Sequence, residues 1–158
     1  MKVLAINGSP RKKNTSKALS ILLKNIKAEK EQIDLIDYKI GMSMGDDVKI
    51  EDDVHMLHDK MRNADVIILG SPSYFNNVTG LMKNFIDRSN NFWETKELKG
   101  KKAILLAIGE EKINHIKGCI VALRNFASGI HMDVYDEIIF EDDNIIEDEL
   151  KSVGELIA

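Results

Sequence analysis

The sequence has a single cysteine, Cys119, among its 158 residues. One cysteine permits no internal disulfide bond and no cysteine cluster for zinc or iron–sulfur. Basic residues are not in excess, since the net charge is −4, so no nucleic-acid partner is expected. The apolar runs are too short to span a membrane, and Met1-Lys2 leads straight into an apolar run rather than into a signal peptide. We therefore expect a cytoplasmic protein without membrane contact.

Two common phosphate-binding motifs are also missing where one of them would be expected. The stretch at residues 7–16 reads Asn-Gly-Ser-Pro-Arg-Lys-Lys-Asn-Thr-Ser, between the apolar run Val3–Ile6 and a helical pattern. It has neither the G-x-x-x-x-G-K-[ST] motif of nucleoside triphosphatases nor the G-x-G-x-x-G motif of dinucleotide-binding proteins. These absences exclude the two standard phosphate loops.

Residues 7–16 nevertheless have the order strand, polar turn, helix, which builds an anion site. The first N–H groups of a helix have no partner within the helix, and the helix dipole adds partial positive charge there. Hydroxyl and cationic side chains supply further groups that can bind an anion, namely Ser9, Arg11, Lys12, Lys13, Thr15 and Ser16. The set predicts a site for one phosphate monoester, such as that of FMN. The alternative is a polar turn in which a Ser or Thr caps the first helix.

Apolar periodicity predicts five strands that alternate with five helices. The strands are predicted at residues 2–6, 33–36, 66–69, 102–108 and 134–140, and the helices at 16–29, 54–63, 81–86, 116–127 and 146–157. This alternation indicates one α/β domain over residues 1–158, with a three-layer, doubly wound, five-stranded parallel sheet in the flavodoxin-like order 2-1-3-4-5. In that order the first and third strands end side by side, so residues 8–16 and 71–79 flank one crevice.

Residues 71–79, Ser-Pro-Ser-Tyr-Phe-Asn-Asn-Val-Thr, form the second loop of this crevice. A phosphate site facing an aromatic loop describes a flat ring on a phosphorylated tail, which is the shape of FMN. Pro72 would restrict the backbone, Tyr74 or Phe75 would lie against the ring, and Asn76 would bond a ring carbonyl. The alternative is that Tyr74 and Phe75 pack beneath the loop as a small satellite core.

Three other features are candidates for function. His55 and His58 have a helical spacing that suits a metal, but a solvated acidic face is the favoured interpretation, and no metal site is predicted. Cys119 is expected in the core. Phe92 and Trp93 lie in a connector at residues 89–99, where they would cover the flavin, form a subunit contact or anchor the connector in the core.

Four segments together resemble the NADPH-dependent FMN reductase family, and within it the multimeric flavodoxins and iron–sulfur flavoproteins. They are Asn7–Arg11, Asn14–Ser16, Ala64–Phe75 and Thr79–Arg88. The resemblance implies a flavodoxin-like fold, non-covalently bound FMN, and NAD(P)H as the electron donor. It further implies a small-molecule electron acceptor or a redox partner protein, and assembly into a homodimer or homotetramer.

The resemblance also assigns roles to individual residues. Those implied for the phosphate are Ser9, Arg11, Asn14, Thr15 and Ser16. Those implied for the ring are Pro72, Ser73, Tyr74, Phe75 and Asn76, with Gly109 on the other side of the ring. The signature helix residues Gly80, Lys83, Asp87 and Arg88 are expected to fix packing and capping. No catalytic side chain is implied, because the flavin carries the chemistry.

Two departures from the family pattern bear on the activity. The region Gly41–Asp47 lacks the cysteines that iron–sulfur members carry after the second strand, so no cluster is expected. Glu110 and Glu111 follow Gly109 and would lower the potential of a nearby flavin. The sequence predicts an FMN-dependent NAD(P)H oxidoreductase that passes electrons to a quinone or similar acceptor. The alternatives are an electron carrier or FMN-binding module without nicotinamide turnover, and an interaction protein without flavin.

Overall fold

Five parallel strands form the centre of the molecule in the order β2-β1-β3-β4-β5, which confirms the predicted topology. The computed structural model describes residues 1–45, 48–141 and 144–157. The strands are β1 (Lys2–Asn7), β2 (Glu29–Asp34), β3 (Val66–Pro72), β4 (Lys102–Gly109) and β5 (Asp133–Glu141). The α-helices in these ranges are α1 (Asn14–Lys24), α2 (Val54–Asn63), α3 (Gly80–Asp87), α4 (Asn91–Thr95), α5 (Lys117–Gly129) and α6 (Glu147–Ile157).

Helices cover both faces of the sheet and complete three layers. Val3 and Ala5 of β1 belong to the apolar cluster that α1 and α6 form on one face. Leu4 and Ile6 belong to the cluster that α2, α3 and α5 form on the other face. Because both faces are covered, the central strands are apolar throughout rather than alternating. No helix of the described ranges has the length and apolar character needed to cross a bilayer.

The edge strand β2 begins earlier than the sequence predicts. Apolar residues at 33–36 suggested its position, but β2 spans Glu29–Asp34 and a 3₁₀ turn follows at Leu35–Asp37. Helix α1 correspondingly ends at Lys24 rather than at residue 29. The first three residues of β2 are charged and exposed. Charged side chains are usual on edge strands, and they hide such a strand from a search for apolar periodicity.

The connector between α3 and β4 contains the short helix α4, which the sequence did not predict. Phe92 is fully buried there, and its ring centroid lies 4.7 Å from that of His58. This confirms the interpretation of Phe92 as a core anchor. Trp93 is 59% exposed and lines a shallow groove with Phe126 and Ile130 of the α5 region.

His58 is buried, which corrects the prediction of a solvated acidic face at this part of α2. Its Nε2 lies 3.0 Å from Ser89 Oγ, and that hydroxyl donates to the Phe85 carbonyl. Nε2 therefore carries the proton that Ser89 Oγ accepts. Burial, more than the neighbouring cations, lowers the pKa of His58 to about 4. Within the described residues, no group of three or more His, Cys, Asp or Glu side chains is arranged to hold a metal.

Helix α3 and the residue after it fix the loop that follows β2. Arg88 forms an ion pair with the fully buried carboxylate of Asp52, with Nη1 and Oδ2 2.5 Å apart, and donates to the Gly41 carbonyl at 2.7 Å. Asn84 Oδ1 accepts from the Ser43 N–H at 2.9 Å. Burial acts to raise the pKa of Asp52, but hydrogen bonds from Arg88 and from backbone N–H groups outweigh it, so the pKa lies below its ordinary value.

The burial of His58 predicts a pH-dependent stability. As the pH falls from 6.5, the unfolded chain takes up a proton on this residue while the folded chain does not, until the pH reaches about 4. The lowered pKa therefore costs the folded state roughly 3 kcal/mol across that window. Urea unfolding of His58→Gln between pH 7 and pH 4 should show a flatter pH dependence than the wild type. His55→Gln is the control, because His55 is the exposed neighbour. If the free energy of unfolding changed equally with pH in the wild type and in His58→Gln, the lowered pKa of His58 would be contradicted.

Candidate functional site

The carboxyl ends of β1 and β3 lie side by side, and a loop leaves from each. The first loop (residues 8–13) continues β1, and the second loop (residues 72–79) begins at the last residue of β3. The Gly8 N–H donates to the Gly70 carbonyl at 2.8 Å. A Cβ atom on Gly8 would lie 2.8 Å from the Met82 Cβ, so only glycine permits this approach. The two loops therefore flank one crevice, as the strand order predicts.

A buried threonine joins the two loops. The Thr79 hydroxyl donates to the Gly8 carbonyl at 2.7 Å and accepts from the Met82 N–H at 3.0 Å, which caps α3. The Thr79 N–H donates to Ser71 Oγ at 3.2 Å. These bonds are buried, so water cannot replace them when one partner is lost. Thr79 therefore holds the spacing between the loops.

The first loop is shaped by side chains that face away from the crevice. Asn7 Oδ1 accepts from the Ser9 N–H at 3.0 Å, and Asn7 Nδ2 donates to Asp34 Oδ1 at 2.7 Å. Lys12 has a φ of 50°, and its ammonium group pairs with Asp37 and, at 3.6 Å, with Asp34. Lys12 is thus held on the β2 side of the loop.

Helix α1 starts directly behind the first loop and presents its amino terminus to the crevice. Its N-cap is Lys13, which makes no side-chain capping bond, and the first turn contains no acidic residue. The alternative in which a Ser or Thr caps this helix is therefore wrong. Arg11 and Lys13 also line the crevice, and they add two formal positive charges to the partial positive charge of the helix start.

Both loops and the end of β4 line one open cleft of about 560 Å³, a volume typical of cofactor sites. Ten of the eleven residues proposed from the sequence line it: Ser9, Arg11, Asn14, Thr15, Pro72, Ser73, Tyr74, Phe75, Asn76 and Gly109. Ser16 instead faces β2, where its hydroxyl accepts from Gln32 Nε2 at 3.1 Å. The structure thus brings these ten residues together, and their roles as ligands stay predictions.

The second loop contains a two-residue turn. Tyr74 and Asn77 exchange backbone hydrogen bonds of 2.8 and 3.1 Å, and Phe75 and Asn76 between them have φ values of 51° and 56°. This is the geometry of a type I′ turn. Phe75 is fully exposed, so packing beneath the loop is wrong for this residue. A phenylalanine in the left-handed region is unusual and strained.

The two ends of the cleft differ in charge. At the α1 end, Arg11 Nη2 lies 3.5 Å from the Tyr74 hydroxyl, and Tyr74, with a smaller effect from Glu110, raises the pKa of Arg11. At the β4 end, the exposed carboxylates of Glu110 and Glu111 line the cleft. Glu111 Oε2 lies 2.8 Å from His115 Nδ1. The cleft is therefore cationic where it meets α1 and acidic where it meets β4.

His115 and Ile116 also line the cleft, and sequence reasoning missed both. His115 belongs to a 3₁₀ turn at Ile113–His115, and its position depends on how that turn folds back rather than on any local motif. Ile116 packs against Gly109, where a Cβ atom would lie 2.7 Å from Ile116 Cγ1 and 3.2 Å from Ser73 Cβ. Gly109 is thus needed for close packing as well as for an open cleft.

Cys119 lies in the core beneath the second loop, as the sequence predicts. Its Sγ is 3.8 Å from the Ser71 carbonyl oxygen and 3.9 Å from that of Pro72. Burial raises the pKa of the thiol to about 12. Cys119 therefore stays protonated and is a packing residue rather than a nucleophile.

Comparison with known proteins identifies the family and several relatives of this chain. The family model of the NADPH-dependent FMN reductases matches residues 1–145. An iron–sulfur flavoprotein of Archaeoglobus fulgidus is 45% identical over 98 residues, which cover 56% of this chain and 49% of that protein. An iron–sulfur flavoprotein of Clostridioides difficile is 34% identical over 148 residues, which cover 82% of this chain and 65% of that protein. The chain thus spans about half to two thirds of the length of these curated relatives.

A solved structure shows the same fold over the whole chain. The NAD(P)H:quinone oxidoreductase of Methanothermobacter marburgensis has a TM-score of 0.73 at 17% sequence identity, with 100% of this chain and 99% of that chain covered. At this level of identity the similarity concerns the fold alone. The sheet order and the helices on both faces are those of the flavodoxin-like fold.

The buried position of Thr79 predicts a loss of stability when its hydroxyl is removed. Thr79→Val keeps the side-chain shape but leaves the Gly8 carbonyl without its donor and the Met82 N–H without its cap. We expect the free energy of unfolding to fall by about 1–3 kcal/mol, measured by urea unfolding. Thr79→Ser retains the hydroxyl and should stay close to the wild type. Unchanged stability in Thr79→Val would show that other contacts hold the loops together.

Proposed function

The chain belongs to the NADPH-dependent FMN reductase family, and from this membership we propose that its cleft binds FMN and that the protein is an NAD(P)H-dependent oxidoreductase. The observation that carries the proposal is that one cleft is lined both by a cationic helix start and by an aromatic turn. The two meet where Arg11 Nη2 lies 3.5 Å from the Tyr74 hydroxyl. This pairing suits a flat ring on a phosphorylated chain.

The α1 end of the cleft fits a phosphate group. A phosphate monoester carries about two negative charges at neutral pH, and the lining residues Arg11 and Lys13 supply two positive charges. The hydroxyls of Ser9 and Thr15 add donors beside the start of α1. The lack of acidic residues in the first turn of α1 leaves its dipole available to an anion.

The second loop fits the ring. Pro72, Tyr74 and Phe75 give one side of the cleft a rigid and partly aromatic surface, against which a planar ring stacks favourably. Gly109 and Ile116 face it from the β4 side. Because Thr79 fixes the spacing between the loops, the residues for the phosphate and for the ring are held in register before any ligand binds.

FMN, when bound, supplies the redox chemistry that no side chain of the cleft can provide. The residues of the cleft would bind and orient the flavin and shield it from water. Arg11 and Lys13 would hold the phosphate, the second loop would hold the ring, and the buried side chains of Ile108 and Ile116 would keep water from the apolar part of the lining. We assign no acid–base role to any residue of the site.

We further propose a quinone or a similar small molecule as the electron acceptor. A segment of 43 residues that is 49% identical to an NAD(P)H dehydrogenase (quinone) of Acidithiobacillus ferrooxidans, and that covers 27% of this chain and 22% of that protein, supports this class. Glu110 and Glu111 line the open β4 end, and their charges disfavour an anionic acceptor and favour an uncharged one. We also propose that the protein assembles as a homodimer or homotetramer and that it is cytoplasmic.

An electron carrier without nicotinamide turnover is the second candidate. The observation that favours it is again the acidic β4 end, because carboxylates near a flavin lower its reduction potential. A low potential suits a protein that receives electrons from a redox partner and disfavours reduction by NAD(P)H.

One spectroscopic experiment separates these candidates. Protein purified with added FMN and freed of unbound flavin should show the two visible flavin bands, because the cleft holds phosphate and ring together. Anaerobic addition of NADPH or NADH should then bleach both bands. Retained FMN that neither nucleotide bleaches would support the carrier, and protein that neither retains FMN nor melts higher in its presence would contradict flavin binding.

The phosphate role of Arg11 predicts a selective loss of affinity. In Arg11→Gln, the dissociation constant for FMN should rise about tenfold to a hundredfold, as expected for loss of a charge-assisted hydrogen bond. Affinity for riboflavin, which lacks the phosphate, should be unchanged. Lys12→Gln is the matched control, because the Lys12 ammonium pairs with Asp34 and Asp37. Equal losses for FMN and riboflavin, measured by flavin fluorescence titration, would place the effect of Arg11 elsewhere than on the phosphate.

A further inference from the structure

We propose that Gly118 and Asn76 are positioning residues of the flavin site: the start of α5 holds the second loop so that Phe75 is fixed at the ring end of the cleft. This inference rests on the proposed binding of FMN. Gly118 is marked by no motif, and it lies 42 residues from Asn76, which it contacts.

The first observation is a direct contact between α5 and the turn. The Gly118 N–H, in the first turn of α5, donates to Asn76 Oδ1 at 2.7 Å. A Cβ atom on Gly118 would lie 2.0 Å from the Asn76 backbone oxygen and 2.8 Å from Asn76 Cγ. The nearest atom is backbone, so it cannot rotate away as a side chain does. Any side chain at position 118 must therefore displace the turn or the helix.

The second observation is the conformation that this contact supports. Phe75 and Asn76 both have positive φ values. Asparagine adopts this region readily, but phenylalanine does so only where the surrounding structure holds it. The paired backbone bonds between Tyr74 and Asn77 hold the turn from within, and Gly118 holds it from outside. Phe75, which lines the cleft and is fully exposed, is thereby presented on a fixed backbone.

The third observation is that the same part of α5 supports the cleft elsewhere. Cys119 Sγ lies against the Ser71 and Pro72 carbonyl oxygens, at the beginning of the second loop. Ile116, just before α5, packs on Gly109 at the end of β4. Residues 116–119 therefore contact the beginning and the turn of the second loop as well as the facing wall. A displacement at Gly118 consequently changes the ring end of the cleft rather than the phosphate end.

The test compares two glycines of one helix. Gly118→Ala introduces the methyl group that the turn cannot accommodate, whereas Gly129→Ala adds the same group at the other end of α5, where it would meet nothing within 4 Å. We expect the dissociation constant for FMN to rise about tenfold in Gly118→Ala and to stay at the wild-type value in Gly129→Ala. The visible circular dichroism and fluorescence of bound flavin should change in Gly118→Ala alone.

Two further variants separate positioning from folding. Asn76→Gly keeps the freedom for positive φ but removes the Oδ1 acceptor, so it should shift the flavin spectra in the same direction as Gly118→Ala. Phe75→Ala removes the positioned ring itself. If Gly118 acts through Phe75, the double variant Phe75→Ala/Gly118→Ala should bind FMN no more weakly than Phe75→Ala. Melting of each flavin-free variant reports whether the fold is retained.

The outcomes are distinct. Altered flavin spectra in Gly118→Ala and Asn76→Gly, with a non-additive double variant, support the inference. If Gly118→Ala does not fold, Asn76→Gly decides in its place with Asn76→Asp as its control, because aspartate keeps the acceptor for the Gly118 N–H but lacks the amide that would bond a ring carbonyl. Wild-type affinity and spectra in a folded Gly118→Ala or in Asn76→Gly would overturn the positioning role and leave the proposed function intact. A wild-type protein that does not bind FMN would overturn both.

Discussion

The hydrogen bond from the Thr79 hydroxyl to the Gly8 carbonyl is the contact on which the cleft depends. A parallel sheet places the ends of β1 and β3 side by side, but it does not fix the loops that leave them. Thr79 does so with one buried hydroxyl that donates to the first loop and caps the helix after the second. The cleft-lining residues of both loops are thus arranged by a residue that itself lies outside the lining.

The sequence predicts the parts of this fold that depend on local patterns. The buried runs Val3–Ile6 and Val66–Leu69 mark adjacent strands, and the polar and aromatic residues after them mark the cleft. Periodicity cannot reveal β2, whose charged start at Glu29 is that of an exposed edge strand. Nor can it reveal Ser16 facing β2 or Gly118 contacting the second loop. Those relations form only when distant segments pack together, so no single stretch carries their signal.

The uneven charge of the cleft follows from where its two ends originate. The cationic end is built from a helix start and the first loop, and a helix start is positive whatever the sequence. The acidic end is built only from side chains, Glu110 and Glu111, on the exit loop of β4. The proposed phosphate recognition therefore rests in part on the fold itself, whereas the electrostatic environment of the proposed ring site can change by substitution of two exposed residues.

The loop after β2 illustrates how the family can vary without losing its fold. Arg88 and Asn84 hold this loop at Gly41 and Ser43 through backbone groups as well as through Asp52. Contacts to backbone atoms do not depend on which side chains the loop carries. The anchoring of this loop is therefore compatible with different side chains along it, and the cysteine-free sequence of Gly41–Asp47 is one of the sequences that it can hold.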